Sequence, residues 1–395
     1  MITRIHYLNH IKHYQNKPFI KVLTGLRRVG KSVIIDQLIE DLIKQGIKKD
    51  HILKLNFELP NTFQLDDYQQ VTDHVLTWAK SKTKPLYLFF DEIGRVKQWE
   101  KAINGFHSLT KFDIYITGSN ADLLSSDLAS FLAGRYVEFE VYPFSYQEFL
   151  LAFPKASFHD YLTFGGMPTI IPFALNYETS MNTLRDIYKS ALLQDVITRS
   201  QIRNPMVLEL LTRYLLTNPA KTFSALSITK YLKSQGISVT VDTILLYLDV
   251  IQNAFLMYKA PREDVVGKRI FQTEEKYFIA DLGFREAMVG QNLTIIESLL
   301  ENIVYLELKR QGFQVRIGKI GDKEIDFVAR KTDQTIYFQV SYLIENESTR
   351  KREFNSLIMI PDNYPKYVIS MDPVNFSQQG IIHIHVTDFL TKKWF

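Results

Sequence analysis

The stretch TGLRRVGKS, Thr24 to Ser32, stands between the apolar run FIKVL (19–23) and the helix-patterned VIIDQLIEDLI (33–43). Gly25 and Gly30 lie five positions apart with Lys31-Ser32 directly behind. That spacing fits G-x-x-x-x-G-K-[ST], a loop whose backbone N–H groups cradle phosphates. KPFIKVLTG reads as a short buried strand, with Pro18 ahead of it and Gly25 ending it. Behind the loop, Val33, Ile34, Leu38, Leu42 and Ile43 fall on one helical face, and Gly46 closes the helix. Strand, glycine loop and helix start together present backbone N–H groups and a partial positive charge to an anion. The pattern predicts that Gly25, Leu26, Arg27, Arg28, Val29, Gly30, Lys31 and Ser32 hold ATP or GTP. Lys31 would reach the β- and γ-phosphates, and the Ser32 hydroxyl would ligate Mg²⁺. For Arg27 and Arg28, phosphate contact and solvated loop charge both fit.

Hydrolysis needs a second acidic site, and PLYLFFDEIGRV (85–96) supplies one. Asp91 and Glu92 stand at the carboxyl end of an apolar run, where ligands bind in open α/β sheets. Asp91 would hold Mg²⁺ through its water shell, and Glu92 would polarise the attacking water. A third run, FDIYITGSN (112–120), ends in Thr117, Gly118, Ser119 and Asn120. A polar tip there, on a strand inserted between the other two, would meet the γ-phosphate and the attacking water. Arg135 precedes YVEFEVYPF (136–144), placed either as a surface charge or to reach the γ-phosphate of a neighbouring subunit.

Composition narrows the setting. The chain has 395 residues, 46% hydrophobic, with a formal net charge of +4 and no cysteine. The length suits several domains, and the mild basicity permits an anionic partner without requiring one. The absence of cysteine excludes disulfides and thiolate zinc sites and suits a reducing cytoplasm. No signal-type N-terminus and no membrane-length apolar run is evident, so the expectation is a cytoplasmic protein with no membrane partner. His6, His10 and His13 on an N-terminal amphipathic stretch, and His383 and His385 on a terminal strand, lack the co-ligands of a metal site.

The set GLRRVGKS, LFFDEI, ITGSN, LAGRYVEFEVYPFSYQEFL and GGMP resembles a family of prokaryotic AAA-type (AAA+) P-loop ATPases carrying a C-terminal domain of unassigned function. The resemblance covers nearly the whole chain. It implies an α/β fold with a parallel sheet of order 5-1-4-3-2 and a small helical lid. It also implies Lys31 and Ser32 as Walker A residues and Asp91 and Glu92 as Walker B residues. Ser119 or Asn120 takes the sensor-1 place, and Arg135 is a candidate arginine finger.

Further along, ETSMNTLRDIYKSALLQDVITRSQI (178–202) reads as one long helical stretch, a lid and connector. Arg185 and Arg199 there are weak second-sensor candidates. From Pro205 onward come a helix to about Leu216, a second from Ser227 to Lys233, a third from Val241 to Ile251, and two strands around a polar loop. That is the layout of a winged helix-turn-helix. Pro205 to Arg262 carries six Lys/Arg against three acids, a net +3. Backbone contact to DNA through Lys230 and Lys233 and docking of a protein both fit this segment.

The C-terminal SLLENIVYLELKRQGFQVRIGKIGDKEIDFVARKTDQTIYFQVSYLIE looks like the PD-(D/E)XK nuclease core. Glu301 on a helix and Asp326 in a strand ending near EIDFVA match its acids. Gln339-Val340-Ser341 replaces Glu-x-Lys, losing one anionic ligand and the lysine, so two acids would hold Mg²⁺ only weakly. From Glu297 to Phe395, thirteen basic residues face thirteen acidic ones. The nuclease fold is expected and its activity is not.

The reading is an AAA+ ATPase core at 1–143, a helical lid and connector at 144–200, a winged helix at 201–290 and a nuclease-like α/β domain at 291–395. It would use ATP and Mg²⁺ and assemble as a homo-oligomeric ring such as a hexamer, with DNA binding or remodelling as its work. The alternative is a nucleotide-controlled switch or scaffold acting on protein partners, and active nuclease ranks third.

Overall fold

The computed structural model describes residues 2–119, 134–198, 202, 204–267 and 270–392. Asn120 and Arg199 lie outside them. The chain divides into two compact units, Met1–Val141 with Asn253–Phe255, and Tyr142–Gln252 with Leu256–Phe395.

In the first unit the elements are α1 (Ile5–Lys12), β1 (Ile20–Thr24), α2 (Lys31–Lys44), β2 (Ile52–Asn56), α3 (Tyr68–Ala79), β3 (Leu86–Asp91), α4 (Trp99–Ser108), β4 (Phe112–Thr117) and β5 (Tyr136–Glu140). The strands form a parallel sheet of order β2-β3-β4-β1-β5, the expected 5-1-4-3-2 read from the other edge. β4 is inserted between β1 and β3, with Leu23 opposite Thr117 and Phe90 opposite Ile116. Parallel strands covered on both faces read as continuous apolar runs, and every residue of β1 and β3 is buried. Ile20, Val22, Leu88, Phe90, Ile114 and Ile116 pack with Val71 and Val75 of α3 and with Trp99, Ile103 and Phe106 of α4. Lys21 sits inside this run because Asp113 of β4 accepts from its ammonium. That carboxylate also accepts from the Tyr115 hydroxyl at 2.9 Å. A buried charge stripped of such a partner is strongly destabilising.

The second unit opens with α5 (Tyr146–Ala152) and α6 (Phe158–Phe164). Both begin at capping boxes, Ser145 with Glu148 and Ser157 with Asp160. α6 ends at the GGMP stretch, where a Cβ on Gly166 would lie 2.4 Å from the Phe144 carbonyl oxygen. The Gly166 N–H donates to Asp281 at 2.6 Å. Burial pushes the Asp281 carboxyl up to about 7, against the pull of the N–H groups of Gly166 and Gly283. α7 (Tyr177–Ala191) continues into wider π-helical turns at Leu192–Thr198, so the expected single helix changes its winding there.

Next come α8 (Pro205–Thr217), β6 (Thr222–Phe223), α9 (Ala225–Ser234), α10 (Val241–Asn253), β7 (Met257–Asp264) and β8 (Ile270–Ile279). β8 pairs antiparallel with both β6 and β7. The remainder is α11 (Leu282–Val289), α12 (Ile296–Arg310), β9 (Gln314–Ile320), β10 (Lys323–Lys331), β11 (Gln334–Val340), α13 (Glu347–Ile358), β12 (Lys366–Ser370), β13 (Ile382–His385) and α14 (Val386–Thr391). A sheet of order β13-β12-β11-β10-β9-β7-β8-β6 joins them. Asp326 lies within β10 rather than near its end. The strand runs on because Ala329, Arg330 and Lys331 pair with Ile336, Thr335 and Gln334 across a tight turn.

Candidate nucleotide site

The loop between β1 and α2 has the backbone that phosphate binding requires. Gly25 has φ +129°, and a Cβ there would meet the Val141 carbonyl oxygen at 2.3 Å, so only glycine fits. Gly30 caps α2 in the left-handed region and brings no side-chain acceptor. The first-turn N–H groups of a helix have no intrahelical partner, which leaves this end suited to an anion. Arg4, 1% exposed, donates through Nη1 to the Val29 carbonyl at 3.1 Å and braces the loop from outside the motif.

Lys31 is buried at the start of α2. Its Nζ donates to the carbonyls of Gly25 at 2.8 Å and Leu26 at 3.1 Å. Ser32 beside it is exposed. Arg27 is half-buried and Arg28 exposed, with φ +64° at Arg28.

The acids converge on the same strand ends. Asp91, 1% exposed, accepts from the Thr117 hydroxyl at 2.6 Å and from Asn56 Nδ2 at 3.2 Å. Glu92 turns out of β3 at φ +56°, and its N–H donates to Thr117 Oγ1 at 2.9 Å. One Glu92 oxygen lies 3.8 Å from Lys31 Nζ, and the other accepts from Ser119 Oγ at 3.3 Å. Lys31, Glu92 and Ser119, from three different segments, thus form one chain of contacts at the carboxyl ends of β1, β3 and β4. The residues fit a nucleotide with its divalent ion: glycine backbone and a helix end for phosphate, an ammonium beside them, and a hydroxyl with carboxylates for the metal.

Thr117 belongs to the polar tip expected from the sequence, but its bonds to Asp91 and Glu92 were not, and Asn56 was not expected at the site. Thr117 ties Asp91 and Glu92 to the tip of β4, and Asn56 stands opposite Asp91 in the β2–β3 register. A threonine and an asparagine closing apolar strands are the sequence signals that could have marked them.

Arg135 stands apart. It is exposed; its guanidinium donates to Asn104 Oδ1 at 3.1 Å and its carbonyl accepts from the Ile20 N–H at 2.8 Å. Tyr136 pairs with Ile20, so Arg135 flanks the amino end of β1, while the phosphate loop leaves the other end. Five strand residues separate the two ends by roughly 16 Å.

Arg185, in the second unit, donates to the Ala287 carbonyl at 3.0 Å and to Asn182 at 2.9 Å. Lys230 and Lys233 are exposed on α9. Among the described residues, no group of three or more histidines and acids is arranged to hold a metal ion by itself. His6, His10 and His13 are exposed. His383 is buried, with Ser370 Oγ 2.8 Å from its Nε2 and the Phe376 N–H donating to its Nδ1 at 3.1 Å. No helix among the described residues is long and apolar enough to cross a membrane.

Sheet order and site geometry together define a P-loop nucleotide-dependent ATPase fold of the AAA type. Residues 17–150 match the model of an AAA domain, and residues 155–294 match a domain of unknown function, DUF8612. An uncharacterized protein of Haemophilus influenzae is 36% identical over 399 residues, covering 99% of this chain and 98% of that one. An uncharacterized protein of Methanocaldococcus jannaschii is 27% identical over 402 residues, covering 96% of this chain and 86% of that one. Among solved structures, RuvB of Thermotoga maritima overlaps with a TM-score of 0.34 at 16% identity, over 65% of this chain and 89% of that one. The chain belongs to the family of the Haemophilus influenzae protein, and its N-terminal part is an AAA domain.

Proposed function

We propose that the protein is a Mg²⁺-dependent ATP hydrolase that works as an oligomer. The observation that supports this best is the placing of Glu92 between Lys31 and Ser119, with Asp91 anchored beside it. Mg²⁺, held through Ser32 and Asp91, would neutralise charge on the β- and γ-phosphates. Lys31 exchanges its loop carbonyls for phosphate oxygens, and the α2 N–H groups orient the chain of phosphates. Glu92 accepts a hydrogen bond from the attacking water and aligns it in line with the leaving oxygen. Ser119 fixes the carboxylate's direction, and Arg135 acts on the ATP of an adjacent subunit. Lys31→Ala should bind a fluorescent ATP analogue at least about a hundredfold more weakly than wild type, since the loop's ammonium has no substitute. Unchanged affinity would contradict the assignment.

For the second unit, the succession α8, β6, α9, α10, β7, β8 supports a winged helix, and two readings of its partner remain. DNA binding rests on Lys230 and Lys233, both exposed on α9. A protein partner is favoured by α10, whose exposed residues include Asp242, Leu245, Leu246 and Asp249 and which carries no Lys or Arg. A helix that enters a major groove meets phosphates on both sides, and an acidic, apolar face does not suit that place. Changing Lys230 and Lys233 to Gln separates the two. Under the DNA reading, affinity falls alike for all sequences and the salt slope drops by about 2. No DNA binding by the intact protein at low salt leaves the protein partner.

The second unit carries its own group of carboxylates. Glu301, Glu324, Asp326 and Gln339 line one recess with Glu297 and Glu353. With Gln339 in place of an anionic ligand, we propose that this domain does not cleave nucleic acid.

A further inference from the structure

Three carboxylates of the recess also meet a buried residue from another strand. Lys276, on β8, is 4% exposed, and its Nζ lies 2.8 Å from Glu301 Oε2, 2.8 Å from Glu324 Oε1 and 3.7 Å from Asp326 Oδ1. Three carboxylates from α12 and β10 thus surround one ammonium brought in by another strand. The rest of the cluster is tied down independently. Asp326 Oδ2 accepts from the Val340 N–H at 2.8 Å, and Arg262 lies 3.3 Å from the second oxygen of Glu324. Oxygens 2.8 Å from a nitrogen suit an ammonium, whereas Mg²⁺ draws its ligands in to about 2.0–2.1 Å.

We propose that Lys276 is a built-in counter-ion that takes the place of a divalent cation in this carboxylate cluster. It closes the cluster to metal and ties β8 to α12 and β10. Burial alone would lower the pKa of Lys276, but Glu301, Asp326 and Glu324 raise it overall. A lysine that donates to Glu301 and lies within ion-pair range of Glu324 and Asp326 holds its positive charge against all three and cannot be washed out by a chelator. This accounts for the loss of the anionic ligand at Gln339. With the cation supplied by the chain, a further carboxylate would add unpaired buried charge.

The test is Mn²⁺ binding without nucleotide, read from the free-ion EPR signal. Wild type and Asp326→Asn should give the same isotherm, because the cluster takes no metal. Lys276→Ala should gain one site at least about tenfold tighter than any in wild type, and Lys276→Ala/Asp326→Asn should lose it again. Mn²⁺ should also raise the melting temperature of Lys276→Ala but not that of wild type. The proposal is overturned if Asp326→Asn removes Mn²⁺ from wild type, or if Lys276→Ala gains no site. It is equally overturned if metal-dependent DNA cleavage by wild type vanishes in Lys276→Ala, which would make Lys276 a catalytic lysine. The wild-type comparison stands even where Lys276→Ala does not fold.

Discussion

Glu92→Gln is expected to bind ATP with near-wild-type affinity and to hydrolyse it on the order of 10²–10⁴-fold more slowly. The amide keeps the shape of the carboxylate and can still accept from Ser119 Oγ, now 3.3 Å away. Asp91 keeps its hydrogen bonds to Thr117 and Asn56, so metal binding should persist. What disappears is the negative charge that aligns water, together with the charge 3.8 Å from Lys31. Lys31 is then freer to turn to phosphate, and the variant should accumulate the ATP-bound state. Phosphate release and retained nucleotide, measured on the same sample, give both halves of the result. Wild-type turnover would reduce Glu92 to a turn residue shaping the exit from β3.

Arg135→Ala is expected to bind ATP normally and to lose on the order of 10³-fold in turnover. The position of Arg135 decides where it can act. Being at the amino end of the β1–β5 pair, it is roughly 16 Å of strand from its own phosphate loop. Its hydrogen bond to Asn104 is at the surface, and losing it should cost little stability. An arginine that contributes so much to rate from that position must act on another subunit's ATP. Hydrolysis should therefore rise more steeply than linearly with protein concentration in the range where subunits associate. Full activity in a strictly monomeric preparation would remove this role.

How much of this was legible depends on whether a residue acts along the chain or across it. The phosphate loop and the Asp91-Glu92 pair could be read because their chemistry needs fixed spacing next to a strand end. Thr117, Asn56 and Arg4 work through neighbours distant in sequence, and nothing in local spacing encodes which strands lie side by side. The order 5-1-4-3-2 came from the resemblance of the motif set, since apolar runs alone do not say which neighbour each will take. Lys21 reads as a charge interrupting a buried strand until Asp113 is brought opposite by the β1–β4 pairing. Lys276 is the strongest case. In TEEKYFI it looks like one more exposed charge on an alternating strand, and only the placing of β8 against α12 reveals its three carboxylates. The exposed acids and leucines of α10 were present in the sequence, but which of them face outward depended on the packing of Ile244, Tyr247, Leu248 and Ile251.

If a neighbouring subunit completes the ATP site, mixing two inactive proteins should restore hydrolysis. Lys31→Ala should bind nucleotide too weakly to turn it over but keeps Arg135; Arg135→Ala should bind nucleotide but lacks the finger. Phosphate release by the equimolar mixture should exceed the sum of the separate proteins by at least about tenfold, because some interfaces pair an intact loop with an intact arginine. A mixture no more active than its components, under conditions where the two co-assemble, would show that Arg135 does not act across the subunit boundary.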